Sequence, residues 1–521
     1  MNQLLNEIWK SHQPLVEEVA KTIGDFAELS MEEYRSAAYL CDTLQSLDFK
    51  ISRGLVGYPT SFTAMYEHGQ GGPSFGLLCE YDALPGVGDP EGTINGHGCG
   101  HNLFAAGAVA TAAIMKEWII RQNIPCKLTV FGCPSEEIYG SKPYYARNGY
   151  FQDLDCIIGF HPLEFNGVLY AQHNAIQSRA YYFHGKSSHA GAEPEKGISA
   201  LDALELMNVA ANYLREHVTS DVRISYIIEH GGLRPNIVPD FASSQYTVRA
   251  QQLTTVEDVG RRLDRIAEGI AYAVGCTVEM KTGYLYANTI VNRTLAHLAY
   301  QHLKELGAPV FTPEEKEAVK DIGNGILLES IEALPLVLGQ YTASTDEGDA
   351  SWCAPWIRVC TTCLADGTPG HSYDVVKQIT SSSAIKGTMQ TVGVICSTLA
   401  NLLAEPQILE EMKKEHQENT KLHPYEVNGA MPDIELFPNS PGISHTVDAL
   451  IVDPCQTPLL PMNTEDLVIS VYADNSLLGK MSADIDGLFK IKFSASNVKS
   501  FTFKYCCADS PEVLFGYYHI K

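Results

Sequence analysis

The stretch FGLLCEYDALPGVGDPEGTINGHGCGHNLFAAGAVATAAIMKEWII, residues 75–120, decides the fold class of this chain. It begins with an apolar run, residues 75–82, that ends in a carboxylate and is typical of a buried strand. Residues 103–120 are rich in alanine and apolar nearly all round, which predicts a buried helix. A buried strand followed by a buried helix is the repeating unit of a parallel sheet, so we expect an α/β fold.

Two more apolar runs, residues 127–133 and 156–161, repeat the pattern of a strand that ends in polar residues. The first is followed by Pro134-Ser135-Glu136-Glu137, and the second ends at His161. Carboxyl ends of parallel strands meet at one edge of the sheet, and ligands usually bind there. We therefore expect a functional site at this edge of a mostly parallel sheet.

The rest of the chain suggests three domains, because 521 residues exceed what one core usually holds. Residues 175–287 show the order β-α-β-β-α-β, which predicts an inserted ferredoxin-like α+β domain. The catalytic domain would then comprise residues 1–174 and 288–423. Alternating segments at 489–493 and 501–505 follow a proline-rich stretch and predict a C-terminal all-β appendage, residues 424–521.

Composition narrows the classes of function. A hydrophobic content of 45%, with 19% charged residues, is ordinary for a soluble globular enzyme. The net charge of -25 argues against nucleic acid and anionic membrane surfaces as partners. The first 18 residues mix polar with apolar side chains and show no signal peptide or membrane span, so we expect a cytoplasmic protein. The 14 cysteines are scattered, which favours reduced, buried thiols over disulfides.

A candidate metal-binding motif lies in the run Gly96-His97-Gly98-Cys99-Gly100-His101-Asn102. A thiolate and an imidazole two residues apart, between glycines, suit a borderline divalent metal. His97 leaves the choice of imidazole open. His161 and, on a downstream glycine-containing loop, His371 are further candidates, although His161 is by itself also explained as a packed core histidine.

The pair Glu136-Glu137 would supply the two carboxylates that a hydrolytic metal site needs. One carboxylate binds metal, while the other stays uncoordinated and takes a proton from water. Adjacent side chains on an extended or turning segment diverge, so one pair could fill both roles. A solvated acidic turn is the alternative for an isolated Glu-Glu pair.

Together these fragments make the chain similar to peptidase family M20, specifically its amidohydrolase branch of aminoacylase-like and p-aminobenzoyl-glutamate-hydrolase-like enzymes. The resemblance spans about residues 10–420. The matching fragments are EYDALP (residues 80–85), GHGCGHN (96–102), PSEE (134–137), SSHAG (187–191), PNIVP (235–239), TDEGD (345–349) and GTPGH (367–371).

The resemblance implies a di-metal site and a homodimer, with residues 175–287 as the lid or dimerisation domain. It assigns two divalent metal ions to the side chains Cys99, His101, Glu137, His161 and His371. It makes Glu136 the general base, and it implies that His189 reaches across a dimer to stabilise the developing oxyanion. Asn236 and Arg249 look like the substrate-side donors of the family, with the planar fork of Arg249 suited to a carboxylate.

The chain also departs from the family pattern. Where many relatives carry His-x-Asp, it has Glu80-Tyr81-Asp82, so Cys99 and His101 are expected to compensate for the absent histidine. Asp82 would orient a ligand, with a simple strand cap as its alternative. The metal stays open: a thiolate favours zinc, while manganese, cobalt or nickel also suit imidazole and carboxylate.

Three functions are compatible with these residues. We expect a metal-dependent amidohydrolase that cleaves N-acyl or N-aroyl amino acids, with p-aminobenzoyl-glutamate-like conjugates as the favoured class. A dipeptidase acting on short or unusual dipeptides would use the same residues and differ in the acyl pocket. A non-catalytic, metal-bound binding or scaffold protein is the third hypothesis, and the uncoordinated carboxylate of Glu136 argues against it. Asn102, in place of an Asp, points to the p-aminobenzoyl-glutamate and dipeptide side of the family.

Overall fold

The computed structural model describes residues 3–421, residue 425 and, further along the chain, the backbone of six strands between residues 446 and 519. The chain divides into two compact units, Met1–Pro432 and Asp433–Lys521. Residue 424, the predicted start of the β appendage, lies outside the described residues.

The first unit contains thirteen α-helices among its described residues. They are α1 (Gln3–Ser11), α2 (Gln13–Phe26), α3 (Tyr34–Ser46), α4 (His101–Gln122), α5 (Lys142–Arg147), α6 (Ala200–Leu214), α7 (Leu253–Val274), α8 (Arg293–Leu306), α9 (Pro313–Ala318), α10 (Glu347–Cys353), α11 (Tyr373–Val376), α12 (Ser382–Ala404) and α13 (Pro406–Thr420). Short 3-10 turns lie at Pro194–Lys196 and Arg215–His217.

The same unit contains thirteen strands among its described residues. They are β1 (Lys50–Arg53), β2 (Phe62–His68), β3 (Ser74–Cys79), β4 (Cys126–Gly132), β5 (Cys156–Phe160), β6 (Gly167–Val168), β7 (Ala171–His173), β8 (Ala175–His184), β9 (Arg223–His230), β10 (Phe241–Ala250), β11 (Thr277–Tyr286), β12 (Gly339–Tyr341) and β13 (Trp356–Cys360).

A seven-stranded sheet with the order β1-β2-β4-β3-β5-β13-β6 forms the centre of the first unit. Its four middle strands, β4, β3, β5 and β13, are parallel to one another. The outer strands pair antiparallel with their neighbours. The apolar runs predicted as strands form β3, β4 and β5, and every residue of β3 and β5 is buried, as expected for strands covered on both faces. The predicted mostly parallel sheet is confirmed.

Helix α4, predicted from its alanine-rich sequence, packs against α2 and α12. By length and composition alone, helices α4 and α12 could both cross a membrane. However, 83% and 72% of the residues in their most apolar 18-residue segments are buried inside the protein. A core helix that is apolar all round explains both of them.

Strands β8 to β11 form a separate antiparallel sheet with the order β11-β8-β10-β9, and α6 and α7 pack on it. The chain order β8-α6-β9-β10-α7-β11 is the predicted ferredoxin-like arrangement. This inserted sheet has its own core, which includes Tyr181, Leu204, Met207 and Leu263. The fold class of a parallel-sheet catalytic domain with an inserted α+β domain is confirmed.

The second unit contains six described strands, β14 (Thr446–Leu450), β15 (Val468–Ala473), β16 (Ser476–Ser482), β17 (Leu488–Lys492), β18 (Ser500–Cys506) and β19 (Val513–His519). They form an antiparallel pair, β14-β17, and a four-stranded antiparallel sheet, β16-β15-β18-β19. The two alternating segments predicted as strands correspond to β17 and β18.

Candidate metal centre

Three neighbouring strand ends deliver polar side chains to one edge of the central sheet. Glu80 and Asp82 follow β3, the Glu136-Glu137 pair follows β4, and His161 follows β5 directly. His101 is the first residue of α4, which runs back across the sheet. The site therefore lies at the edge where the sequence predicts it.

The five predicted metal ligands form two overlapping groups. The ligand atoms of Cys99, His101 and His161 all lie within 4.8 Å of one another, and so do those of Cys99, Glu137 and His371. The Cys99 sulfur lies 3.3 Å from Nε2 of His161, and Nε2 of His371 lies 3.6 Å from Oε2 of Glu137. Because Cys99 belongs to both groups, the arrangement is a double site.

Unusual backbone conformations shape the loops around this site. Gly100, between Cys99 and His101, has a φ of 82°, and an added Cβ would lie 2.6 Å from the Pro162 ring. Glycine is needed there for both reasons. Ser135 and His371 have φ values of 62° and 53°, in the left-handed region. Such strain in non-glycine residues concentrates at functional sites.

Asp82 orients His101 and leaves one of its ring nitrogens available. Oδ1 of Asp82 lies 2.9 Å from Nδ1 of His101 and accepts its hydrogen bond. The other ring nitrogen, Nε2, is buried and has no hydrogen-bond partner among the described residues. Burial would raise the pKa of Asp82, but His101 and the hydrogen bonds that Asp82 accepts lower it to about 2.

His97 is turned away from the site, which resolves the choice between the two imidazoles of the glycine-rich run. Its Nε2 lies 3.0 Å from the carbonyl oxygen of Ile23, in the interior. Burial lowers the pKa of His97 to about 4, so this side chain is a neutral core histidine.

The two carboxylates after β4 differ in their surroundings. Glu136 accepts a hydrogen bond of 3.2 Å from the Thr345 hydroxyl, and its Oε2 lies 4.0 Å from Nε2 of His101. Burial, followed by the charges of Glu80 and other nearby carboxylates, raises the pKa of Glu136 well above its usual value. Oε1 of Glu137 is buried without a hydrogen-bond partner in the described part of the chain.

These features fit a pair of divalent metal ions. A buried imidazole nitrogen and a buried carboxylate oxygen without partners are costly unless something positive binds them. Thiolate, imidazole and carboxylate together are the donor set that zinc and neighbouring transition metals use. The residues present can therefore hold the metals that the sequence predicts.

A buried charge network behind the site was not predicted. Lys142, fully buried, lies 2.7 Å from Oε1 of Glu80 and pairs also with Asp346. Next to it, Arg358 lies 3.0 Å from Oε1 of Glu347. The sequence showed Glu80 only as a departure from the family histidine, and no local pattern signals the distant partners.

Glu33 is another residue that the sequence analysis missed. Its carboxylate accepts hydrogen bonds from the backbone N–H of Ser135, at 2.8 Å, and from the Thr60 hydroxyl, at 2.9 Å. It thereby ties α3 to the strained turn that carries Glu136. Burial raises the pKa of Glu33 to about 8.

The predicted substrate-side residues lie in the inserted domain, where His189 and Asn236 are on loops and Arg249 is on β10. His189 is exposed and pairs with Ile237, while the carbonyl oxygen of Asn236 accepts a bond from the Ala190 N–H at 3.0 Å, so His189 and Asn236 lie together. Arg249 is opposite Ile176 at the far end of β10, about 26 Å from the end near His189 at about 3.3 Å per residue. Within one chain, His189 belongs to no candidate ligand group found among the described residues.

Comparison with known proteins adds independent information. Residues 170–274 match the peptidase dimerisation domain of M20 enzymes. The chain is 33% identical to one of the subunits of p-aminobenzoyl-glutamate hydrolase from Escherichia coli K12, covering 78% of this chain and 93% of that protein. It is 28% identical to mouse Xaa-Arg dipeptidase, covering 76% of this chain and 88% of that protein.

A solved structure shows the same fold at lower sequence similarity. The aminobenzoyl-glutamate utilization protein of Klebsiella pneumoniae superimposes with a TM-score of 0.53 at 16% identity, covering 76% of this chain and 98% of that one. The shared fold spans nearly the whole of that chain.

Proposed function

Because the chain belongs to peptidase family M20 and is an amide-bond hydrolase of that family, we propose that it cleaves N-acyl or N-aroyl amino acids. The favoured substrates are p-aminobenzoyl-glutamate-like conjugates. One observation carries this proposal: a double metal-ligand site stands next to Glu136, a half-buried carboxylate that is not one of the five predicted ligands and lies 4.0 Å from Nε2 of His101. This is the arrangement that metal-assisted hydrolysis requires.

In the proposed mechanism, Cys99, His101, Glu137, His161 and His371 hold two divalent metal ions, zinc or manganese, with cobalt or nickel as alternatives. When bound, the metals supply Lewis-acid chemistry that polarises the scissile carbonyl group and activates water. Asp82 keeps Nε2 of His101 free for this purpose by accepting the hydrogen bond from Nδ1.

Glu136 is the proposed general base. Thr345 holds one oxygen of its carboxylate, while the other points toward His101. Glu136 takes a proton from the attacking water and returns it to the departing amine. The raised pKa caused by burial suits a group that accepts a proton in one step and releases it in the next.

His189 is proposed to act on the active site of a partner subunit in a homodimer. It is exposed on the loop between β8 and α6, within the segment that matches the peptidase dimerisation domain. Helix α6 and the edge strand β9 of the inserted sheet also expose large apolar side chains, which are Leu206, Val209, Tyr213, Ile227 and Ile228. Apolar side chains in such numbers on one small unit favour an interface between subunits.

A substrate panel tests this function. Metal-reconstituted protein would be incubated with N-aroyl amino acids, N-acyl amino acids and dipeptides, and the released amino acid would be measured. Release confined to the aroyl and acyl conjugates supports the proposal. Release from no member of the panel, with any of the four metals, contradicts it.

The Glu136→Gln variant is the control for the panel, because glutamine keeps the size of the side chain but accepts no proton. We expect kcat to fall about 100- to 10,000-fold, the usual contribution of a general base, while both metals stay bound. The metal content, measured by mass spectrometry, separates loss of the base from loss of the site. A variant with normal turnover would show that Glu136 is not the base.

A dipeptidase is the second candidate, favoured by the 28% identity to mouse Xaa-Arg dipeptidase over 88% of that protein. It would use the same metal site and base, and would differ only in the groups that contact the two ends of the substrate. Release of amino acid from dipeptides alone, in the same panel, would establish this alternative.

A further inference from the structure

The carboxylate of Glu80 lies beside His101, one of the five predicted ligands. Its Oε2 lies 3.3 Å from Nε2 of His101, and both side chains are buried. We propose that Glu80 is a sixth ligand of the metal centre. This inference rests on the metal-dependent function proposed above, and it replaces the expectation that Cys99 and His101 alone compensate for the absent histidine.

The spacing of the two atoms fits a shared metal ion. Nitrogen and oxygen ligands bind zinc at about 2.0 to 2.2 Å, so neighbouring ligand atoms of a tetrahedral or octahedral site lie about 3.0 to 3.5 Å apart. The separation of 3.3 Å between Glu80 and His101 lies within this range. The separation between Cys99 and His161, both predicted ligands, is also 3.3 Å.

Burial and the lack of other partners support the same assignment. Nε2 of His101 has no hydrogen-bond partner among the described residues, and its ring is fully buried. Its other nitrogen is already bound by Asp82, so Nε2 is the atom left for a metal. The ligand atoms of Glu80, His101 and Glu136 lie within 4.8 Å of one another. Glu80 lies 3.3 Å from Nε2 of His101, whereas Glu136 lies 4.0 Å from it, so a metal on His101 would have Glu80 as its neighbouring ligand and leave Glu136 uncoordinated.

The contact between Lys142 and Glu80 supports the assignment of Glu80 as a metal ligand, but it also offers another explanation for the burial of this carboxylate. The ammonium group of Lys142 lies 2.7 Å from Oε1 of Glu80, and this contact leaves Oε2 facing His101. Alternatively, Glu80 only balances the buried charge of Lys142. Asp346 separates these explanations, because it also pairs with Lys142 but belongs to no candidate ligand group found among the described residues.

The experiment compares Glu80→Gln with the matched control Asp346→Asn. Metal-free protein would be titrated with Zn²⁺ against a chelating competitor, and bound metal would be counted by mass spectrometry. Loss of a residue that only supports the site costs about 10- to 100-fold in affinity. We expect Glu80→Gln to weaken the binding of one metal more than about 100-fold, and Asp346→Asn to stay within the supporting range. Equal effects of the two variants would overturn the proposal.

A second variant covers the case in which Glu80→Gln fails to fold. Glu80→His places an imidazole where many relatives have one, and Co²⁺ reports its ligands through visible absorption. We expect Glu80→His to hold two Co²⁺ ions with a spectrum that differs from that of the wild type, since nitrogen replaces oxygen as a ligand. An unchanged spectrum with two Co²⁺ ions bound would overturn the assignment of Glu80.

The metal measurements are independent of catalysis. Wild-type protein that binds metal as expected but hydrolyses nothing in the panel would contradict the proposed function and leave the assignment of Glu80 standing. Conversely, an active enzyme in which Glu80→Gln binds metal normally would contradict only the assignment of Glu80.

Discussion

Asp82 contacts both halves of the candidate metal centre. One of its oxygens accepts the hydrogen bond of Nδ1 of His101, and the other accepts bonds from the Ser30 hydroxyl, at 2.7 Å, and the Glu137 backbone N–H, at 3.0 Å. A single buried carboxylate thereby orients one ligand from each of the two overlapping groups. Its contacts are those of an orienting residue, which is the role that the sequence predicts for it.

The Asp82→Asn variant tests this role. Asparagine has one acceptor oxygen, so its amide would present N–H groups to a side where the protein already presents donors. We expect the affinity for zinc to fall about 10- to 100-fold, as for other residues that orient metal ligands. Competition with a chelator measures the affinity. Ser30→Ala, which removes one donor and leaves the carboxylate in place, should have a smaller effect, and the reverse order would refute this reasoning.

At the scale of single elements, glycines in two helices have opposite roles. Gly387 lies inside α12, where an added Cβ would lie 2.2 Å from the carbonyl oxygen of Thr362. Gly269 lies on the exposed side of α7, with nothing within 4 Å of its added Cβ. The first glycine allows α12 to approach the backbone that follows β13, while the second makes no contact that requires glycine.

Alanine at each position should therefore change stability in opposite directions. Gly269→Ala should stabilise the protein by up to about 1 kcal/mol, because alanine loses less entropy in a helix. Gly387→Ala should destabilise it by about 1 to 3 kcal/mol, because the methyl group overpacks a backbone contact. Urea unfolding followed by circular dichroism measures both variants. A stabilised Gly387→Ala would mean that α12 can shift at little cost.

Helix α10 connects the active-site edge to the inserted sheet. Just before it, Thr345 holds Glu136. Within it, Oδ2 of Asp349 accepts a bond of 3.0 Å from the N–H of Ala287, which follows β11, and Trp352 donates to the carbonyl oxygen of Asn288. Helix α10 and the residues just before it therefore contact both the inserted domain and Glu136.

Asp349 makes the stability of this region depend on pH. Burial raises its pKa from 3.8 to about 7, although Tyr425 and Ala287 donate hydrogen bonds to it. Since the folded state binds the proton more tightly, the contribution of Asp349 to stability is complete below about pH 3.8 and is lost as the pH rises through about 7. Asp349→Asn does not titrate, so the melting temperature of the wild type relative to this variant should fall between about pH 4 and pH 7 and stay level above that range. A constant difference would show that Asp349 stays ionised in the folded protein.

At the scale of the whole molecule, His189 lies on a loop of the inserted domain, whereas the candidate metal centre lies at the edge of the central sheet. A homodimer with shared sites predicts complementation between two inactive variants. Subunits with His189→Asn keep Glu136, and subunits with Glu136→Gln keep His189, so a mixed dimer has one complete site.

Equal mixing of these variants, after dissociation and reassociation, should restore about a quarter of wild-type activity, because half of the dimers are mixed and each has one complete site. Activity assays on the mixture and on each variant alone measure this. No recovery in a mixture shown to contain mixed dimers would place His189 and Glu136 in the same subunit's site.

The sequence by itself determined the features that depend on local pattern. The apolar runs predicted β3, β4, β5 and α4, because burial on both faces demands an apolar residue at every position of an element. The polar residues after those runs predicted one site at one edge of the sheet. The resemblance to peptidase family M20 added the five ligands, and the structure brings them together.

Only the tertiary structure decided which side chains meet across long separations in the chain. It turned His97 into the core and placed Glu80 beside His101, with Lys142 and Asp346 behind it. It also separated Arg249 from His189 by most of the length of a strand. No local pattern encodes such pairings, because a buried charge needs a partner in space and packing, rather than chain order, supplies it.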